Sequence, residues 1–317
     1  MKDRMTLAQP VRLLATPLVG SNLRHRVCLG AAWLVAGILI MSLAIHGFSY
    51  YKLPLPQRVY SPFHASLKPS GIIGLRLGIL GTILFGFLYL YLIRKRWGWL
   101  GKIGKTRHWL DFHVLFGTTA PIIITFHSSF KLHGLAGVAY WIMIAVMISG
   151  IVGRYLYAMV PRSLSSLEMS LKEMEEIIAL QSRQLGHQAL VASQELEPLF
   201  RVPSADEARR MSLLRALLTL LRLDLARPLH ISRLRRQSIS SFTKFVTLGG
   251  LLPSGDEVLE TIVSTAKRQS MLLTRILFLD RIHQVFHLWH IVHRPFSYSF
   301  AVLVVVHIGV ALWLGYF

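Results

Sequence analysis

Four histidines in this chain stand in two matched pairs. His113 and His127 lie in the apolar run Trp109–Phe130, and His293 and His307 introduce and occupy the run Pro295–Phe317. Thirteen residues separate the members of each pair. Fourteen residues of α-helix turn through about 1400°, so the second ring returns to within about 40° of the first, roughly 21 Å further along the axis. Each helix then shows one imidazole near each end of a single face. Haem iron accepts two neutral imidazoles as axial ligands. Two such helices side by side are expected to hold two b-type haems, one on His113/His293 and one on His127/His307, with irons roughly 20 Å apart. Imidazoles left in hydrocarbon without partners would be costly, which favours a functional use for all four.

That chemistry needs helices that cross a bilayer. Of the 317 residues, 53% are hydrophobic, and the mean hydropathy is +0.49. The apolar runs are too long for a water-soluble core. The expected fold is an all-α integral membrane protein of five transmembrane helices, with a four-helix haem-binding core and a helical cytoplasmic insertion. The predicted spans are 27–48, 71–93, 109–130, 138–160 and 295–317. The organisation read from them is an N-terminal cytoplasmic segment at 1–26, a membrane domain with four spans at 27–160, a helical cytoplasmic region at 161–292, and a fifth span at 293–317. Residues 1–26 resemble the basic start of a signal peptide. The run that follows is too long and lacks a small-residue cleavage site, so it is expected to stay as an anchor.

Strand-like alternation is nearly absent from 161–292, which predicts helical hairpins there. An amphipathic helix is expected over 164–185. Ser204-Ala-Asp-Glu207 and Ser254-Gly-Asp-Glu257 both read as capping boxes that start helices. A leucine-rich stretch (Leu213, Leu214, Leu217, Leu218, Leu221) is too interrupted to span and suits the membrane interface. Pro295 is expected either to open the last span or to kink a helix that runs into it.

The formal charge of +20 finds its explanation in topology. With five spans, 30 of the 35 Lys/Arg fall on the side of the N-terminus and of 161–292. The positive-inside rule makes that side cytoplasmic and places the C-terminus outside, in a bacterial inner membrane. No nucleic-acid-binding fold accompanies the charge, so no nucleic-acid partner is expected. Cys28 is the single cysteine, which excludes structural disulfides, a Cys-ligated Fe–S cluster and c-type haem attachment. No G-x-G-x-x-G or Walker A pattern announces a flavin or nucleotide domain.

Several other residues are candidates around these sites. Arg76, inside the second span, suits a haem propionate or a lipid phosphate. Arg107, Arg154 and Arg294 could serve the inner haem or act as cytoplasmic anchors. Asp111 can pair with Arg107 four residues earlier, or pass protons to a quinone. His283, His287 and His290 form a stripe that reads either as an additional metal, haem or quinone-proton site, perhaps joined by His108, or as the polar face of an interfacial helix. His290 is also the rival of His293 as ligand, but sits about 100° off the His307 face. On the outer side, His46, His64 and His133 are candidates for a third site. Between Arg201 and Lys244, ten Lys/Arg face only Asp206, Glu207 and Asp224, a basic region open to an acidic electron carrier or to anionic lipid.

The run Arg107-His-Trp-Leu-Asp-Phe-His113, with Gly117 and His127, resembles the haem helices of ferric-reductase/NADPH-oxidase-type membrane cytochromes. The doubled fourteen-residue step is similar to that of cytochrome b. His293-Arg-Pro-Phe with His307 resembles the second helix of such pairs. The resemblance implies a di-haem electron carrier, here without the FAD/NAD(P)H domain with which those reductases continue. The function expected is transmembrane electron transfer as the membrane subunit of a larger oxidoreductase complex, rather than a complete enzyme. Its partners would be Fe–S/flavoprotein or c-type cytochrome subunits, membrane lipid and, as a further option, quinone. The competing readings are a self-contained quinol-oxidising reductase and a non-redox transporter or assembly protein with structural histidines.

Overall fold

A computed structural model describes residues 19–94, 97–160, 202–238, 252–253 and 257–315. The expected helix at 164–185 and most of the cap at 254–257 lie outside these residues. Among the described residues there is no strand. Five of the helices are long and apolar enough to cross a membrane. The chain divides into two compact units, the first comprising residues up to Gly150 together with Phe296 onwards, the second Ile151–Pro295.

The first unit opens with α1 (Val19–Tyr51), a 3₁₀ turn (Leu55–Tyr60) and the short α2 (His64–Leu67). Then follow α3 (Ile72–Arg94), the one-turn α4 (Gly98–Gly101), α5 (Thr106–His127) and the larger part of α6 (Gly134–Met159). The pair α3/α5 is the principal helix contact. It is antiparallel because both of its ends are tied. At one end Arg94 donates to Thr106 Oγ1 at 3.1 Å, to Gly101 O at 3.1 Å and to Gly104 O at 2.9 Å. At the other end the His127 ring reaches Gly74. Leu34, Ile38, Met41, Ile45 and Phe48 of α1 are all exposed. A surface of this kind is suited to lipid and would be an aggregation hazard in water.

The third span ends at His127, three residues earlier than expected. Ser129 and Phe130 have φ of 49° and 59°, a left-handed conformation that stops an α-helix. Their placement is fixed by a buried clamp. Arg58 donates to Leu53 O at 2.9 Å, to Tyr51 O at 2.8 Å and to Ser129 O. Ser129 Oγ donates to Leu67 O at 2.6 Å. Three loop carbonyls and one guanidinium therefore satisfy one another where backbone groups would otherwise be orphaned.

The second unit contains the end of α6, then α7 (Ala205–Arg210), α8 (Leu213–Ser238), α9 (Glu257–Leu277) and the start of α10 (Leu279–Trp313). The capping box at Ser204/Glu207 forms as expected, with both reciprocal bonds present. The leucine-rich helix is longer than expected and continues unbroken through Pro228. Of the two courses expected at Pro295, a helix runs into the proline from before it: it begins at Leu279, sixteen residues earlier, and continues to Trp313. Proline removes one backbone donor, and a long helix with well-formed turns on either side tolerates that loss.

Core packing in this unit joins Met159 of α6, Ala208, Ala216, Leu220, Phe278 and Ile282. A polar seam runs beside it. Tyr155 donates to Asp224 at 2.7 Å, and Arg227 reaches Asp224, Ser270 Oγ at 3.2 Å and Thr274 Oγ1 at 2.8 Å. Arg235 bonds Glu260 at 2.5 Å.

Candidate functional site

The part of α10 that belongs to the first unit lies antiparallel to α3. Tyr89 donates to Ser297 O at 2.9 Å, and the Phe85 and Phe300 rings meet edge to face at 4.8 Å. The last span is therefore parallel to α5 over this unit, as the matched histidine spacing requires. His127 and His307 come together, with ring centroids 6.5 Å apart and planes at 78°. Two imidazoles that approach one metal from opposite sides, each nitrogen about 2 Å away, would set their ring centres about 6 Å apart. The observed separation is of that order.

His127 is oriented for such a role. Its Nδ1 lies 2.8 Å from the Gly74 carbonyl. A carbonyl only accepts, so Nδ1 carries the proton and Nε2 keeps its lone pair. Metal-ligating histidines are commonly fixed in this way by a backbone acceptor. The ring rests on Gly78, where an added Cβ would stand 2.8 Å from Cε1 and 2.9 Å from Nδ1. Sequence reasoning missed both glycines. The signal was present as Gly74-x-x-x-Gly78, a small-residue repeat that lets helices approach closely.

Between the histidine levels the first unit is filled with hydrocarbon. Phe85, Ala120, Met143 and Phe300 form a buried cluster, with Ile124 and Val304 against it. The small side chain of Ala120 makes room for these neighbours. A Cβ at Gly117 would meet only Leu88, at 3.8 Å.

His113 lies on α5 in the first unit, with its ring 5.2 Å from Tyr91. His293 belongs to the second unit. There it stacks on Trp289 at 4.9 Å, and Trp289 fits only because residue 153 is glycine. His290 Nδ1 lies 3.2 Å from its own helix's Phe286 carbonyl. His283 and His287 are exposed. Among the described residues no three His, Cys, Asp or Glu gather into a metal-binding group. Neither the stripe 283/287/290 nor the trio His46, His64, His133 forms such a group. His64 is instead held by Tyr50 OH at 3.1 Å, and His46 meets the edge of Phe63. His133 lines an open, mainly apolar groove of about 530 Å³ with Trp141, Ile142 and Phe296.

No family model, curated protein or solved structure matches this chain.

The charged candidates fall as follows. Arg76 is exposed, two residues from both Gly74 and Gly78 and hence on the other side of α3 from the His127 ring. Arg107 and Arg294 are exposed, and Arg154 is half-buried. Asp111 accepts from His25 Nε2 at 3.0 Å, and the His25 ring stacks on His108 at 3.7 Å. This tie between α1 and α5 was not anticipated, because residues 1–26 were read only as a basic flank.

Proposed function

We propose that the chain is the membrane subunit of a transmembrane electron-transfer complex, a di-haem b-type cytochrome built on a four-helix core. The observation that carries this reading is the His127/His307 pair, 6.5 Å apart between ring centroids, with Nδ1 of His127 held by Gly74. Haem supplies the one-electron chemistry when bound. The chain's part is to hold two imidazoles in register, to keep Nε2 of His127 available, and to surround the pair with hydrocarbon that lowers the local dielectric. The second haem rests on the sequence repeat, which gives His113 and His293 the same fourteen-residue step from His127 and His307. The Lys/Arg distribution supports a cytoplasmic N-terminus and 161–292 region. In this reading, electrons are exchanged with partner subunits or quinone.

Pyridine haemochrome assay of the purified protein tests the reading. Two haems per chain are expected, with one lost in His127→Ala and in His307→Ala. A colourless wild-type protein, or full haem occupancy in both variants, overturns it.

A further inference from the structure

Helix α8 presents a surface that the electron-transfer reading leaves unused. Leu214, Leu218, Leu221, Leu225 and Leu229 are 67%, 56%, 41%, 65% and 57% exposed. Their spacing keeps all five within about 80° of arc and spreads them over about 22 Å of helix. Arg215, Arg222 and Arg233 are exposed as well. They line one edge of the stripe, within about 20° of one another. The opposite face is committed to the second unit, through Ala216, Leu220, Arg227 and Arg235.

The surroundings of α8 within that unit indicate what covers the stripe. Ala216 and Leu220 pack with Met159, the last residue of one membrane-spanning helix, and with Ile282, in the first turn of another. Tyr155 of the first of these helices bonds Asp224 of α8. The helix is thus fastened to the ends of two spans, at the level where a bilayer gives way to water. Its composition points the same way. Residues 213–238 contain no Phe, Tyr, Trp or Met, whereas protein-binding faces are enriched in these residues. A uniform leucine stripe with a basic border is the form taken by helices that lie in a lipid surface.

We propose that α8 is an in-plane membrane helix: Leu214 to Leu229 enter the acyl boundary of one leaflet, and Arg215, Arg222 and Arg233 hold anionic lipid phosphates along its edge. The proposal rests on α6 and α10 crossing the bilayer and is independent of haem.

Single cysteines at Leu218, Leu225 and Leu252, each in full-length protein carrying Cys28→Ser, are labelled with a nitroxide. The protein is placed in nanodiscs of phosphatidylglycerol or of phosphatidylcholine. Collision rates with oxygen and with a water-soluble nickel chelate are then read by paramagnetic resonance. The expected result is loss of nickel collisions with oxygen access retained at 218 and 225, while the exposed loop residue Leu252 collides freely with nickel. Insertion should be deeper in phosphatidylglycerol, and Arg215→Glu/Arg222→Glu/Arg233→Glu should abolish that difference. Nickel access at 218 and 225 equal to that at 252 overturns the proposal. So does protection from both reagents, which would mean that a protein surface covers the stripe. Equal depth in the two lipids overturns the anionic preference.

Discussion

The His127 ring lies directly on Gly78, so that the α-carbon of one helix faces the imidazole of the next with no side chain between them. A methyl group there would sit 2.8 Å from Cε1, closer than packed atoms stand. Gly78→Val should therefore displace the ring and remove one haem of two on the proposed reading, with the protein still inserted. Haemochrome stoichiometry checks this. Retention of both haems would show that His127 is not a ligand.

Gly153 has the same relation to Trp289, whose indole occupies the space a side chain would need. Trp289 in turn stacks on His293. On the proposed di-haem reading, Gly153→Val should disturb the haem assigned to His293 and leave the one assigned to His127 in place. A reduced-minus-oxidised spectrum distinguishes the two if their bands differ. The double variant Gly78→Val/Gly153→Val should then be haem-free.

Much of the membrane part was legible in the sequence. Apolar runs follow from the bilayer's thickness, so the five spans and the parallel course of the helices bearing His127 and His307 could be read directly. What escaped is of two physical kinds. Helix ends that depend on distant residues carry no local signature: nothing near His127 announces that Arg58 will stop its helix. The leucine-rich helix likewise runs on through Pro228 to Ser238, further than its leucines alone suggest. The second kind is the seat at Gly74 and Gly78, written in the sequence as a spacing of small residues. Such a spacing marks a close helix approach without saying which side chain will fill it.

Removing the Arg58 clamp should cost stability without abolishing the fold. Hydrogen bonds from a charged donor are worth about 1.5–3 kcal/mol each, and the three carbonyls left behind are only partly reachable by water. Arg58→Leu is expected to destabilise by roughly 3–5 kcal/mol. Arg58→Lys should recover less than half, because an ammonium cannot span three acceptors in a planar fork. Thermal unfolding in detergent, followed by circular dichroism, provides the comparison.

His25 and Asp111 join the first helix to α5, with side chains only 12% and 11% exposed. A double-mutant cycle with His25→Ala and Asp111→Asn should return a coupling of about 1–3 kcal/mol. A coupling near zero would reduce the pair to a chance approach.

Orientation is tested with reporters. A fusion after Pro253 should behave as cytoplasmic and one after Gly315 as external, from the Lys/Arg asymmetry. The reverse pattern would invert the topology.

The clamp at Arg58 also bears on how the protein is made. Its partner Ser129 lies 71 residues further along the chain, beyond two complete spans. At about 5–20 residues per second, the ribosome delivers that partner roughly 4–14 s after Arg58 has left the tunnel. During this interval Arg58 has only the Leu53 and Tyr51 carbonyls of its own segment to bond, and α5 has not yet acquired its terminus. Closure of the loop over the His127 end is therefore a late event in biogenesis, set by insertion of the third span. The loop is pinned only after the helix that carries His127 has arrived.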